Sequence, residues 1–94
     1  MANPKHVTLV ADTETVVTLD NNYGSVRVTV IANPAVIYFN TSDTTIGTVA
    51  GSMDGNEAVP ATLVSRVVVD RTGGTASKVH LRSAGTPTVS VGGL

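Results

Sequence analysis

The sequence predicts an all-β domain: a small antiparallel β-sandwich of Greek-key-like type with about seven or eight short strands, or alternatively a small β-barrel. Three observations lead there. Val and Thr are abundant, and both carry two heavy atoms on Cβ, which restricts χ1 and suits a pleated strand better than a helix. Apolar and polar residues alternate with a period of two over several short runs. Turn clusters rich in Gly, Pro, Asn and Asp separate those runs at roughly ten-residue spacing. No window places apolar residues at the 3.6-residue helical period between caps.

Taken in order, HVTLV (His6–Val10) alternates, with Val7 and Leu9 on one face and His6, Thr8 and Val10 on the other. ADTE turns the chain into TVVTL (Thr15–Leu19), and DNNYG is a concentrated turn signal. SVRVTV (Ser25–Val30) alternates most cleanly, with Val26, Val28 and Val30 predicted inward and Ser25, Arg27 and Thr29 outward. Asn33-Pro34 is a turn, because Pro34 has no amide donor and steers Asn33 away from helical angles. A fourth strand is expected over Ala35–Phe39. Asn40 to Pro60 reads as loop-rich, with a short strand possible near Thr45–Val49; a connector of that length is commonly functional. LVSRVVVD (Leu63–Asp70) is a strand whose run Val67-Val68-Val69 suggests burial on both faces. RTGGTAS is a hairpin loop, KVHLRS (Lys78–Ser83) alternates again, and Gly85-Thr86-Pro87 turns into a final strand over Thr88–Val91.

The 94 residues suit one domain, 1–94, with residues 1–6 as a possible extended N-terminal arm. Its core would be thin, since Trp is absent and Tyr23, Tyr38 and Phe39 are the only aromatic residues. Oligomerisation or docking is then a plausible source of added stability. A net charge of −1 with scattered cations argues against nucleic acid and anionic membranes as partners. Cysteine is absent, which removes disulfides, a thiolate nucleophile and Cys-ligated metals, and favours maturation in a cytoplasm. The N-terminus has no apolar core of a signal peptide, and no run approaches the roughly eighteen apolar residues of a spanning helix.

Candidate chemistry is sparse, and no catalytic, cofactor or metal residues are expected. LVADTETV resembles the Asp-Thr-Gly loop of retroviral-type aspartic proteases, but Glu14 stands where the Gly belongs and would set a like charge beside the paired acids. SMDGNEAVP begins like a calcium loop from Asp54, yet Ala58 takes the fifth ligand position and Ser65 the place of the bidentate Glu. His6 and His80 could meet on adjacent strands as ligands, but two histidines on alternating strands more simply line a polar face. Asn40-Thr41-Ser42 fits a glycosylation sequon without a secretion signal to support it. An enzyme is therefore not expected.

Tyr38 and Phe39, neighbours on one predicted strand, must point to opposite faces. Ile37 and Phe39 are the expected core pair, which presents Tyr38 at the surface as a candidate interface anchor. VIYFNTSDTTIGTVAG (Val36–Gly51) and KVHLRSAGTPTVSV (Lys78–Val91) together resemble small all-β structural proteins of tailed bacteriophages. The resemblance rests on Ile37-Tyr38-Phe39, Asp43-Thr44 and Gly51, then on Val79, Leu81, Ser83, Gly85, Pro87, Ser90 and Val91. Where that family usually has Asp-Gly followed by Pro, this chain has Asp43-Thr44-Thr45. The resemblance implies a virion protein made in the host bacterial cytoplasm, most simply a capsid decoration (cement) protein. Its partner would be the major capsid protein or another virion protein, and it would assemble as a homo-oligomer, a trimer being favoured. A tail or fibre module is the nearest alternative. A small carbohydrate-binding sandwich using Tyr38 and Tyr23 as stacking platforms is another. The expected partner contacts are Tyr38 and the N-terminal arm residues Ala2, Asn3, Pro4, Lys5 and His6, since Asn3-Pro4 favours an extended backbone able to add to a sheet edge.

Overall fold

A computed structural model of the chain describes residues 4–47, 56–62, 65–73 and 76–94. They form β1 (Lys5–Thr8), β2 (Thr15–Thr18), β3 (Ser25–Ala32), β4 (Ile37–Asn40), β5 (Glu57–Val59), β6 (Ser65–Val69), β7 (Lys78–Ser83) and β8 (Thr88–Gly93). One sheet has the order β1-β8-β3-β6 and the other β2-β7-β4-β5. All strand pairs are antiparallel.

The pairings nest. β4 pairs with β5, β3 with β6, β2 with β7 and β1 with β8, as in one long hairpin. Two further ladders, β3 to β8 and β4 to β7, roll that hairpin into two sheets. Eight strands in this order form a jelly roll, a sandwich of two Greek keys. The sandwich, rather than the barrel, is what the chain adopts.

The alternation in the sequence explains the core. Val26 and Val28 from β3, Val89 and Val91 from β8, Ile37 and Phe39 from β4, and Val79 and Leu81 from β7 are fully buried between the sheets. Leu9, Val17, Leu19 and Val59 complete the cluster, with Val7, Tyr23, Val30 and Val68 packed against its margin. Ile37 and Phe39 are the inward pair, as their alternation requires. The ladder shifts register between Val30 and Ala32, which bends β3 as it leaves the sheet. Asn33 turns with φ of 52°, a left-handed conformation that Asn tolerates.

Several expectations are corrected. β6 is not buried on both faces: Val67 and Val69 lie on the outer face of the sheet, 49 % and 58 % exposed, and of the three valines only Val68 faces the core. Positions 45–47 are not in a strand, and 48–49 lie outside the described residues; Ile46 is nonetheless buried. The loop-rich stretch instead contributes β5. His80 does not line a wet polar face: it is 7 % exposed. His6 and His80 sit in different sheets and do not meet. The C-terminal strand runs on to Gly93, held by the Leu94 amide donating to the Ser25 carbonyl at 2.9 Å.

Candidate partner-binding surface

Each sheet has an outer face, and the two differ. On β2-β7-β4-β5 the outward residues include Val16, His80 and Arg82, with Tyr38 between Ala58 and Arg82 in register. The segment after β4 folds back over this face. Asn40, 3 % exposed, organises it: its Oδ1 accepts from the Ser42 and Thr44 amides at 3.3 and 3.2 Å. Its Nδ2 donates to the Thr44 carbonyl at 2.7 Å and to Asn56 Oδ1 at 3.0 Å. Such local side-chain bonding turns the backbone back on itself, and Asp43 takes a positive φ of 56° within the turn.

Charges strap the returning segment down. His80 lies between two acids, with Nδ1 3.1 Å from Glu14 Oε2 and Nε2 2.8 Å from Asp43 Oδ1. Glu14 Oε2 also accepts the Ile46 amide at 2.6 Å, and Arg82 Nη1 donates to the Ile46 carbonyl at 3.0 Å. Arg82 reaches Asp12 as well, through Nε to Oδ1 at 3.0 Å and Nη2 to the carbonyl at 2.6 Å. Ile46 is thereby 1 % exposed, although it is outside the cluster between the sheets. Burial pushes the Glu14 carboxyl up, but the Ile46 amide, His80 and Arg82 outweigh it and hold the group below its ordinary range. The hydrogen bond to His80 lowers Asp43 against a smaller desolvation effect, with Lys78 assisting.

The outer face of β1-β8-β3-β6 is built differently. Register sets His6, Ser90, Thr29 and Ser65 in one row across the sheet, and Gly92, Arg27 and Val67 in the next. Hydroxyls tie neighbouring strands together, Thr8 to Thr88 at 2.9 Å and Thr29 to Ser65 at 3.1 Å. His6, Thr8, Arg27, Val67 and Val69 stay exposed. A shallow groove of about 140 Å³ runs between Pro4, Arg27 and Leu94 over Gly92.

A second, larger cleft of about 280 Å³ opens at the edge of the sandwich, where β5 and β6 face each other across the two sheets. Arg66 crosses it, donating from Nη1 to the Ala58 carbonyl at 2.8 Å and from Nη2 to Glu57 Oε1 at 2.5 Å. Its register opposite Val28 turns this Arg towards the core side, a device that also blunts an edge strand.

The expected partner residues are thus dispersed. Pro4 packs on the β1-β8-β3-β6 sheet near Gly92, where an added Cβ would meet Pro4 Cβ at 3.6 Å. Lys5 and His6, expected in a free arm, instead open β1, paired with Val91 and Ser90. Ala2 and Asn3 lie outside the described residues. Tyr38 does face outward, but on the other sheet, and it is half-buried rather than projecting. Tyr23 is no stacking platform: its ring lies where a Cβ on Gly93 would be, and its hydroxyl donates to Asp20 Oδ1. The strap and the edge cleft were not anticipated. Asn-Thr-Ser-Asp-Thr at positions 40–44 was their available signal, since each of those side chains can bond its own backbone. No family model, curated protein or solved structure matches the chain.

Proposed function

We propose that the chain is a structural protein of a bacteriophage virion: a capsid decoration (cement) protein that binds the outer capsid lattice as a symmetric homo-oligomer, a trimer being favoured. The observation that carries this reading is the inequality of the two outer faces. One is occupied by the chain's own strap, whereas the β1-β8-β3-β6 face leaves Arg27, Val67 and Val69 exposed among Thr, Ser and Gly. A decoration protein needs a rigid module with one such face and no chemistry of its own. Of the residues that resemble small phage structural proteins, Gly51 lies outside the described residues and the others fall on β4, the strap, β7, the turn after it and β8, the three strands being central in their sheets. The jelly roll is an architecture that viral capsid domains use, although lectins and cupins share it. Here the interior is packed with Val, Leu, Ile and Phe side chains, which favours a structural module over one built around a ligand chamber.

Binding can be tested by cosedimenting the recombinant protein with purified capsids that lack it. Arg27→Glu with Val67→Glu, both on the outer surface, should abolish capsid binding while leaving the melting temperature nearly unchanged. Absence of the protein from purified virions by mass spectrometry, or equal binding by the double variant, would overturn the reading.

A further inference from the structure

The geometry points to the edge cleft between β5 and β6 as a binding site for a carboxylate on a short aliphatic stem, the side chain of a Glu or Asp on a protein partner. This deepens the partner-binding reading above and rests on it. The cleft is lined by Asn40, Ser42, Glu57, Arg66, Val68 and Arg71, among others. Its polar groups are unequally occupied. Asn40 spends its amide on the Thr44 carbonyl and Asn56 and its carbonyl oxygen on the turn. Thr41 donates its hydroxyl to the Val69 carbonyl at 2.7 Å. Arg66 is fixed by Glu57 and the Ala58 carbonyl but has further N–H groups to give.

Arg71 is different. Its backbone amide is anchored to the Thr41 carbonyl at 3.0 Å, which holds the residue at the rim. Among the described residues no carboxylate pairs with its guanidinium, in contrast to Arg66 and Arg82, each of which has an acid partner. A fixed Arg and an unpaired one facing one cleft form a donor array suited to the two oxygens of a carboxylate. Glu57 narrows the choice. Its charge offsets Arg66, leaving one net positive charge for the ligand, which suits a monoanion better than a phosphate dianion. Val68 selects the stem: its inward-facing side chain lines the cleft beside Arg66, where the methylenes of an acidic side chain can lie.

The test is a ¹⁵N NMR titration of the full chain with N-acetyl-glutamate amide, using N-acetyl-glutamine amide as the neutral isostere. Shifts confined to Ser42, Arg66, Val69 and Arg71 with the acid, and absent with the amide, are expected. Arg71→Gln should weaken the acid at least about tenfold, the loss of a charge-assisted hydrogen bond, without moving the melting temperature. Arg71→Lys, which keeps the charge but loses the fork, should fall between. Equal shifts with the neutral isostere, or an Arg71→Gln variant that binds as the parent does, would overturn the site. Tighter binding of inorganic phosphate or D-glucuronate would overturn its assignment to an acidic protein side chain. Capsid cosedimentation is read separately: a cleft that takes glutamate on a protein that ignores capsids refutes the virion reading alone.

Discussion

Replacing Phe39 by Ala and, separately, its neighbour Tyr38 by Ala sets two aromatic truncations one residue apart on β4. Phe39 is the largest fully buried side chain, in register between Leu81 of β7 and Glu57 of β5 at the centre of its sheet. Truncation removes its apolar contacts and leaves a cavity that flanking ladders on both sides prevent from collapsing, so the cost should reach about 3–5 kcal/mol. Domains of this size have total stabilities of about 5–15 kcal/mol, and each 1 kcal/mol moves Tm by about 4–8 °C. The expected fall is therefore about 12–40 °C. Tyr38 points outward and is half-buried between Ala58 and Arg82, so its truncation should cost about 1 kcal/mol or less. Urea unfolding at constant m-value, checked by calorimetry, measures both. If Phe39→Ala costs under about 1 kcal/mol, or Tyr38→Ala costs more than Phe39→Ala, the inward assignment of β4 is wrong.

Gly93→Ala should destabilise by about 1–3 kcal/mol through overpacking, because the new methyl would enter the Tyr23 ring; Tyr23→Ala added in the same chain should recover part of that loss in thermal melts. Asn40→Ala strips the turn of its organiser, at a cost of about 1–3 kcal/mol for the polar groups left unpaired. Hydrogen exchange should then quicken at the Thr44 amide, and unchanged protection there would show that the turn holds without Asn40. Acid should loosen the strap. Glu14 and Asp43 have folded pKa values below their unfolded ones, so their contribution is present above the unfolded values and is lost as pH falls through the folded ones. Tm should therefore drop below about pH 4.5, and Glu14→Gln should flatten that slope; an identical slope in the variant would remove Glu14 from the account.

Strands were legible wherever one face is buried and the other wet. Lys78–Ser83 coincides with β7 residue for residue, and Ser25–Val30 needed only its bulged end. The rule fails where position in the sheet, not residue type, decides burial. Val67-Val68-Val69 reads as doubly buried, yet every strand of a two-sheet sandwich has only one face towards the core, so Val67 and Val69 stay on the outer face while Val68 turns inward. His80 fails for the converse reason: it stands on the outward face, as its alternation implies, and is buried only because residues 41–47 return across it. Glu57–Val59 is too short for any period to register, and it forms a strand because β4 offers it a ladder. The Greek-key character was readable from strand number and spacing. The nesting of β1 with β8 and β2 with β7 was not, since those pairings join residues 60 to 86 positions apart, from Thr18 with Lys78 to Lys5 with Val91.

That nesting bears on where a partner can dock. Rolling one long hairpin brings both ends of the chain into the same sheet, so β1 and β8 lie side by side and the N- and C-terminal strands share one outer face. The opposite sheet receives the segment after β4, which is held down through Asp43 and the Ile46 backbone by His80, Glu14 and Arg82. Displacing it would uncover Ile46 and take Asp43 away from His80, a cost any ligand on that face must meet before gaining contacts. The β1-β8-β3-β6 face asks for no such rearrangement. Thr8 is tied to Thr88 and Thr29 to Ser65 across strands, β8 pairs with β3 as far as Gly93, and Arg27 is exposed on central β3. A rigid surface binds with little ordering cost, so a partner gains more per contact there than on the strapped sheet, and the edge cleft beside β6 lies within reach of the same partner.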